Sequence, residues 1–252
     1  MTGLEIVTVP CLQDNYAYLV HLGALTAVID PAEAEPVAAA VKARGWTLTH
    51  ILNTHHHWDH SGGNRELKDK YGAQVIGPEK DHTRIPGIDL GVDEEHGWQF
   101  GSYKVQVLDV PAHTRGAVAY VIGKAVFTGD TMFVMGCGRL FEGTADMMLA
   151  SLNKLAALPD DTALYCGHEY TLTNARFALT LEPGNTALQE RVKAVEAARA
   201  AGKPTVPSTI GLEKATNPFL RTHSPEIRAA AGMVHADDVA VFAEIRRRKD
   251  AF

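Results

Sequence analysis

The chain has 252 residues, 46% of them hydrophobic and 21% charged, which is enough apolar material for a sizeable core and excludes a disordered polymer. Its formal net charge of -6 excludes a general binder of nucleic acid or anionic membrane, because both require a basic surface. Three cysteines, Cys11, Cys137 and Cys166, are an odd number without paired spacing, so no disulfide framework is expected and a reducing compartment fits.

The opening Met1-Thr2-Gly3-Leu4-Glu5 lacks the basic and apolar regions of a secretory leader, and nowhere do apolar residues run long enough to span a bilayer. The expected location is the cytoplasm. Residues 4–9, 16–22 and 25–30 read as strands, the first two separated by a polar Gln13-Asp14-Asn15 turn. A helix over 33–44, stopped by Gly45, leads to a strand over 49–53. Ser61-Gly62-Gly63-Asn64 opens a helix that runs to Tyr71 and is closed by Gly72. Further strands are expected over 103–110, 125–128 and 163–166. Beyond residue 168 the texture becomes helical, over 172–181, 187–201, 225–231 and 237–249, divided by Pro183-Gly184 and Gly202-Lys203-Pro204. The expected division is a domain over 1–168 and a smaller helical one over 169–252.

Several strands end on a side chain able to bind a metal. The strand over 49–53 delivers Thr54-His55-His56-His57-Trp58-Asp59-His60, and the later ones end in Pro111-Ala112-His113, Gly129-Asp130 and Gly167-His168. Strand ends are where a rigid sheet holds side chains in fixed mutual geometry, so one site assembled from distant sequence is expected. On an extended turn, His55, His57 and Asp59 would converge on one point while His60 reaches a neighbouring one. A solvated histidine-rich loop is the alternative, but an internal run interrupted by Trp, Asp and Gly-Gly is not low-complexity sequence. His55, His57, Asp59, His60, His113, Asp130 and His168 give five imidazoles and two carboxylates. That is more donors than one ion accepts, so two divalent ions are expected. These donors suit zinc, iron or manganese. Trp58 is expected to pack beneath the site, and Cys166 to be a buried structural thiol.

At this point the chain strongly resembles the metallo-β-lactamase superfamily, whose signature is a His-x-His-x-Asp-His run followed by a later His, Asp and His on separate strand ends. The resemblance implies an α/β fold, an αββα sandwich, with His55, His57 and His113 on one metal, Asp59, His60 and His168 on the other, and Asp130 bridging them. His56 is not a ligand in that pattern. Hydrolysis is the default chemistry of such a paired site, with Asp59 and Asp130 as the catalytic carboxylates.

Flanking segments narrow the substrate. Gly136 to Thr144, Gly167-His168-Glu169-Tyr170-Thr171, Asn217-Pro218-Phe219-Leu220-Arg221 and Arg246-Arg247-Arg248-Lys249-Asp250 are similar to those of the hydroxyacylglutathione hydrolases, or glyoxalase II family. The resemblance then covers essentially the whole chain. It implies a zinc-dependent thioesterase acting on a small glutathione thioester, a monomer with no nucleic-acid or membrane partner. Arg246 and Lys249 would grip the glycine carboxylate, with Arg139, Phe141 and Tyr170 along the rest of the peptide. A basic run in an acidic chain is a local device for holding such an anion, although cations also suit a helix C-terminus without any ligand. The chain departs from the family pattern at Arg139, commonly Lys, and Phe141, commonly Tyr, so one charge is kept in planar form and one hydroxyl is lost. The alternatives on the same fold are a glutathione-persulfide sulfur dioxygenase, a phosphodiesterase or nuclease, and another hydrolase; a non-catalytic metal-binding protein is the alternative from outside catalysis.

Overall fold

The computed structural model describes residues 3–252, so Met1 and Thr2 of the opening segment lie outside the described residues. By its internal contacts the chain divides into two units, one running to Asp109 and taking in Thr114–Gly129, the other made of Val110–His113 and Asp130–Phe252.

In the first unit β1 (Glu5–Cys11), β2 (Asn15–Leu22) and β3 (Leu25–Ile29) form an antiparallel meander. The chain crosses through α1 (Ala34–Ala43) to β4 (His50–Leu52), which pairs parallel to β3 with Ile29 opposite Leu52. The turn α2 (Trp58–Ser61) and helix α3 (Asn64–Tyr71) lead to β5 (Gln74–Pro78) and β6 (Leu90–Val92), giving the order β1-β2-β3-β4-β5-β6. Then β7 (Trp98–Phe100), β8 (Tyr103–Asp109), β9 (Val118–Ile122) and β10 (Ala125–Gly129) pair antiparallel in sequence order.

Alternation along the strands builds the layers. Ala17, Leu19, Val28, Ile51 and Val75 join Val37, Ala38 and Val41 of α1 and Leu67 of α3 in one buried cluster. From the other face of the same sheet Tyr18 meets Phe127 of β10 at 5.6 Å, and the Tyr120 hydroxyl of β9 donates to the Asn53 carbonyl at 2.7 Å. The unit is therefore helices on a sheet that packs on a second sheet. Burial pushes the Tyr120 hydroxyl well above its usual pKa, which keeps it a donor.

The second unit holds a short hairpin, β11 (Met132–Phe133) with β12 (Gly136–Cys137), and then α4 (Ala145–Ala156), β13 (Ala163–Cys166), α5 (Thr171–Leu181), α6 (Thr186–Ala200), β14 (Ser208–Thr209), α7 (Ile210–Thr216), α8 (Pro225–Ala231) and α9 (Asp238–Asp250). Buried polar groups fix the hairpin. Glu213 accepts from the Met135 amide at 2.7 Å, Asn217 donates to the Phe133 and Gly136 carbonyls at 3.2 and 3.0 Å, and Asn174 donates to the Val134 carbonyl at 3.1 Å.

The division by contacts differs from the expected one at residue 168. Residues 130–168 share a unit with the C-terminal helices because α4 packs on α7 and α9. Helix α4 is also absent from the sequence expectations, although its buried Met148, Leu152 and Leu155 follow a helical period. Strands β5, β6, β7, β9 and β14, the β11–β12 hairpin and helix α7 are likewise absent from them, most being too short for a period to register. The expected helices at 172–181, 187–201, 225–231 and 237–249 are present to within a residue or two, with Asp237 capping α9 by accepting from the Ala240 amide at 2.8 Å. No helix among the described residues is long and apolar enough to cross a membrane.

Candidate functional site

The parallel pairing of β3 with β4 puts Asp30 beside the start of the histidine run. Asp30 has a left-handed backbone, φ 50°. Its Oδ1 accepts from the Thr54 amide at 2.7 Å, and its Oδ2 from the Thr54 hydroxyl at 2.6 Å and His60 Nδ1 at 3.1 Å. A carboxylate only accepts, so the proton of His60 is assigned to Nδ1 and Nε2 keeps its lone pair. The same logic extends one residue on. The Thr54 hydroxyl has given its single proton to Asp30, so His55 Nδ1, 3.0 Å away, must be the donor. His55 Nε2 then faces His57 Nδ1 at 3.1 Å. Asp30, His55 and His60 all offer ligand-type atoms within 4.8 Å of one another.

Contrary to the expected extended turn, the run becomes helical at Trp58, with His57 at the helix N-cap position. Asp59 and His60 are therefore successive helical residues, and His60 Nε2 lies 3.7 Å from Asp59 Oδ2. Asn15 steadies Asp59, donating to its carbonyl at 2.9 Å and to Oδ2 at 3.2 Å. Asn53 donates to the His60 carbonyl at 2.8 Å and is itself held by Asn64 at 2.7 Å. Trp58 does not pack beneath the site: it is 70% exposed. His56 takes Asp81 Oδ2 at 3.1 Å instead of joining the donors. Gly129, φ 49°, closes this unit's last strand where a Cβ would collide with the Thr54 side chain.

In the second unit Asp130 Oδ2 lies 3.5 Å from His113 Nε2 and 3.3 Å from His168 Nε2. One oxygen thus faces two imidazoles from different loops. His113 Nδ1 donates to the Arg139 carbonyl at 3.0 Å, which leaves its Nε2 as an acceptor pointing at a carboxylate oxygen. Two acceptors that close are favourable only with a cation or a proton between them. The donor chemistry of both units therefore fits a divalent metal, with His60, His55 and His113 oriented respectively by a carboxylate, a hydroxyl and a carbonyl behind them.

The remaining expected residues also lie in the second unit. The Tyr170 ring stacks on His168, 4.7 Å between centroids and 6° between planes, and Phe141 lies 5.2 Å from His113; both are exposed. Lys249 lies over the rings of Phe177 and Phe252 at 5.5 and 5.2 Å. Its partial burial, and then repulsion from Arg246 and Arg139, lowers its pKa to about 8. Arg139 is a solvent-exposed cation with its Nε 3.7 Å from Asp250 Oδ1. Arg246 is buried, donating to the Cys137 carbonyl at 2.7 Å and to Asp250 at 2.9 Å. Cys166 is fully buried, and burial pushes its thiol up to about 12.

Asp30 and Asn15 were not expected from sequence. Asp30 ends an apolar strand just before Pro31, which reads as an ordinary turn until β4 is laid beside it. Two further histidines pack against aromatic rings: His21 stacks on Trp46 at 4.1 Å, and His50 contacts Trp98 and Phe100 edge-on, its pKa lowered by burial.

Comparison with known proteins agrees with the layered architecture. Residues 13–168 match the family model described as metallo-beta-lactamase superfamily, and residues 169–252 the one described as hydroxyacylglutathione hydrolase C-terminus. The chain is 55% identical to hydroxyacylglutathione hydrolases of Methylococcus capsulatus and Brucella ovis over 253 aligned residues, covering 99% of this chain and 99% and 98% of theirs. Among solved structures, ETHE1 from Myxococcus xanthus superposes with a TM-score of 0.67 at 24% identity over 99% of each chain. TTHA1623 in a di-iron-bound form gives 0.62 at 28% identity, over 86% of this chain and all of that one. The fold is the metallo-β-lactamase fold with a helical C-terminal part. The chain belongs to the metallo-β-lactamase superfamily and, within it, to the hydroxyacylglutathione hydrolases.

Proposed function

We propose that this protein hydrolyses S-(2-hydroxyacyl)glutathione, with S-D-lactoylglutathione as its physiological substrate, to a 2-hydroxy acid and glutathione, the second step of methylglyoxal detoxification. One observation carries this reading: the two family models meet at residues 168 and 169, so a metal-binding superfamily and a C-terminus particular to these thioesterases fill the chain end to end. The functional division follows the same line, with catalysis assigned to 1–168 and a share of glutathione binding to 169–252.

His55, His57 and His113 would hold one divalent cation, Asp59, His60 and His168 a second, and Asp130 both. Zinc is the proposed metal, with iron or manganese as substitutes that the same donors accept; a di-iron relative of known structure supports that substitution. When bound, such a pair supplies a nucleophilic water of lowered pKa and draws charge from the carbonyl oxygen. The chain's own residues do the rest. Asp59, steadied by Asn15, accepts a hydrogen bond that aims the nucleophile, and Asp130 keeps His113 and His168 facing one point. Glutathione would leave as a thiolate, a good leaving group that needs little general-acid help. Arg246 and Lys249 would attract the glycine carboxylate, with Arg139, Phe141 and Tyr170 along the rest of the peptide. The enzyme is proposed to act as a cytoplasmic monomer.

The test is loss of the thioester from S-D-lactoylglutathione by metal-replete protein, with chelator-treated protein and persulfide-dependent oxygen uptake as controls. Expected is thioester loss that chelation abolishes, no oxygen uptake, and a fall of more than about 100-fold in kcat/KM for the double variant His55→Ala, His57→Ala, since removing donors outright exceeds the effect of removing their supports. Full activity in that variant would end the proposed mechanism.

A further inference from the structure

Arg246 differs from the other residues assigned to glutathione. It is 5% exposed, whereas the Arg139 side chain is 65% exposed. Its Nη1 is committed to the Cys137 carbonyl at 2.7 Å and its Nη2 to Asp250 at 2.9 Å, while its plane packs over Phe219 at 5.2 Å. Nη1 also lies 3.7 Å from Cys137 Sγ, and Nε is buried without a hydrogen-bond partner. A guanidinium so engaged is part of the framework as well as a cation, because its planar fork fixes two acceptors at once.

The acceptor it fixes is two residues from a metal-ligand support. Cys137 ends the β11–β12 hairpin; Gly138 follows, packed so tightly that a Cβ there would collide with the Asp130 carbonyl and come within 2.9 Å of His113 Nδ1. Arg139 comes next, and its carbonyl is the acceptor of His113 Nδ1 at 3.0 Å. Between these points the Gly138 amide donates to the Thr131 carbonyl at 3.2 Å, and Glu213, Asn217 and Asn174 hold the hairpin just before Cys137.

We propose that Arg246 is a positioning residue for His113: by clamping the Cys137 carbonyl it fixes the Arg139 carbonyl, and through it the tautomer and direction of the His113 ring. This rests on His113 being a metal ligand. Arg246 thereby links the glutathione-binding end of α9 to the metal donors of its own unit through one hydrogen bond, two peptide units and a second hydrogen bond. Lys249, one turn further along α9, makes no such link.

The experiment compares metal-loaded wild type, Arg246→Ala, Arg246→Lys, Lys249→Ala and His113→Ala in two readouts: steady-state hydrolysis of S-D-lactoylglutathione, and the metal retained against a competing chelator. Expected is that Arg246→Ala lowers both kcat and metal affinity by about 10- to 100-fold, the range for lost ligand supports, besides raising KM. Lys249→Ala should raise KM alone. Arg246→Lys, which keeps the charge and loses the fork, should show the weakened metal retention with a smaller rise in KM, and it decides the matter if the alanine variant fails to fold. A purely structural role would lower the unfolding midpoint without shifting metal retention in the folded protein. Wild-type kcat and wild-type metal retention in either folded Arg246 variant would overturn the proposal. If His113→Ala retains metal like wild type, the ligand assignment beneath it has failed instead; and if wild type shows no thioesterase activity, the functional reading falls while chelator resistance still tests the clamp.

Discussion

Between Thr54 and Ser61 the donors come from neighbouring residues, and most of what orients them is buried and uncharged apart from Asp30. Around Lys249 the cations come from positions 139, 246 and 249, and the partial burial of Lys249, followed by repulsion from the other two, depresses its pKa to about 8. In the first region Asp30, Asn15, Asn53 and Thr54 are hydrogen-bonded to the run. The second holds three cations near one another, offset in part by Asp250, with Lys249 half-buried. A cation site and an anion site on one chain thus reach opposite compromises: one has the polar groups around it paired, the other keeps a half-buried cation and a remainder of repulsion that a carboxylate offsets.

The strongest way to break that contrast is Asp30→Asn. Asparagine accepts the same backbone conformation, so φ 50° adds no new strain. The charge, and one of the acceptors shared by Thr54 and His60, are lost. Metal affinity measured by chelator competition should fall by about 10- to 100-fold, with kcat/KM following. Wild-type retention would mean that backbone alone prearranges the turn, and that the buried carboxylate is incidental to it.

What sequence discloses follows the same divide. The seven donors are legible because they follow the ends of hydrophobic runs, and β1 to β3, α1, α3 and the C-terminal helices are legible because each is long enough to show its period. Asp30 is not: its partners Thr54 and His60 are 24 and 30 residues away, and only the Ile29 to Leu52 register brings them together. Nor is the burial of Arg246, since a basic run ending a helix reads the same whether its members face water or a carbonyl 109 residues upstream. The helical turn at Trp58 escapes because four residues cannot show a period.

The anion side is sharpened by pH. Lys249 binds a carboxylate only as the cation, and its lowered pKa means that the free enzyme loses this charge above about pH 8. KM should therefore be flat below that point and rise above it, by at most about tenfold per pH unit and less because Arg139 and Arg246 stay charged. A bound carboxylate favours the cation and raises the pKa again, so binding above pH 8 takes up a proton. Lys249→Arg cannot lose its charge and should keep KM level from about pH 7 to about pH 9.5. The same rise in both proteins would place the titration elsewhere, and the half-buried Lys249 cation would not be what the substrate offsets.

The smallest effect is expected at Trp58, and it bears on how self-sufficient the histidine turn is. With 70% of its surface in water, the indole contributes little apolar burial, so Trp58→Ala should change unfolding free energy by no more than about 0.5 kcal/mol. A tryptophan packed beneath the donors would instead cost about 3–5 kcal/mol on truncation. Denaturant unfolding of the two proteins under the same metal loading separates these cases. A loss of the larger size would mean that His57 and Asp59, on either side of the indole, take their positions from its packing, and the hydrogen bonds of Asp30 and Asn15 would then be consequences of that packing and not its cause.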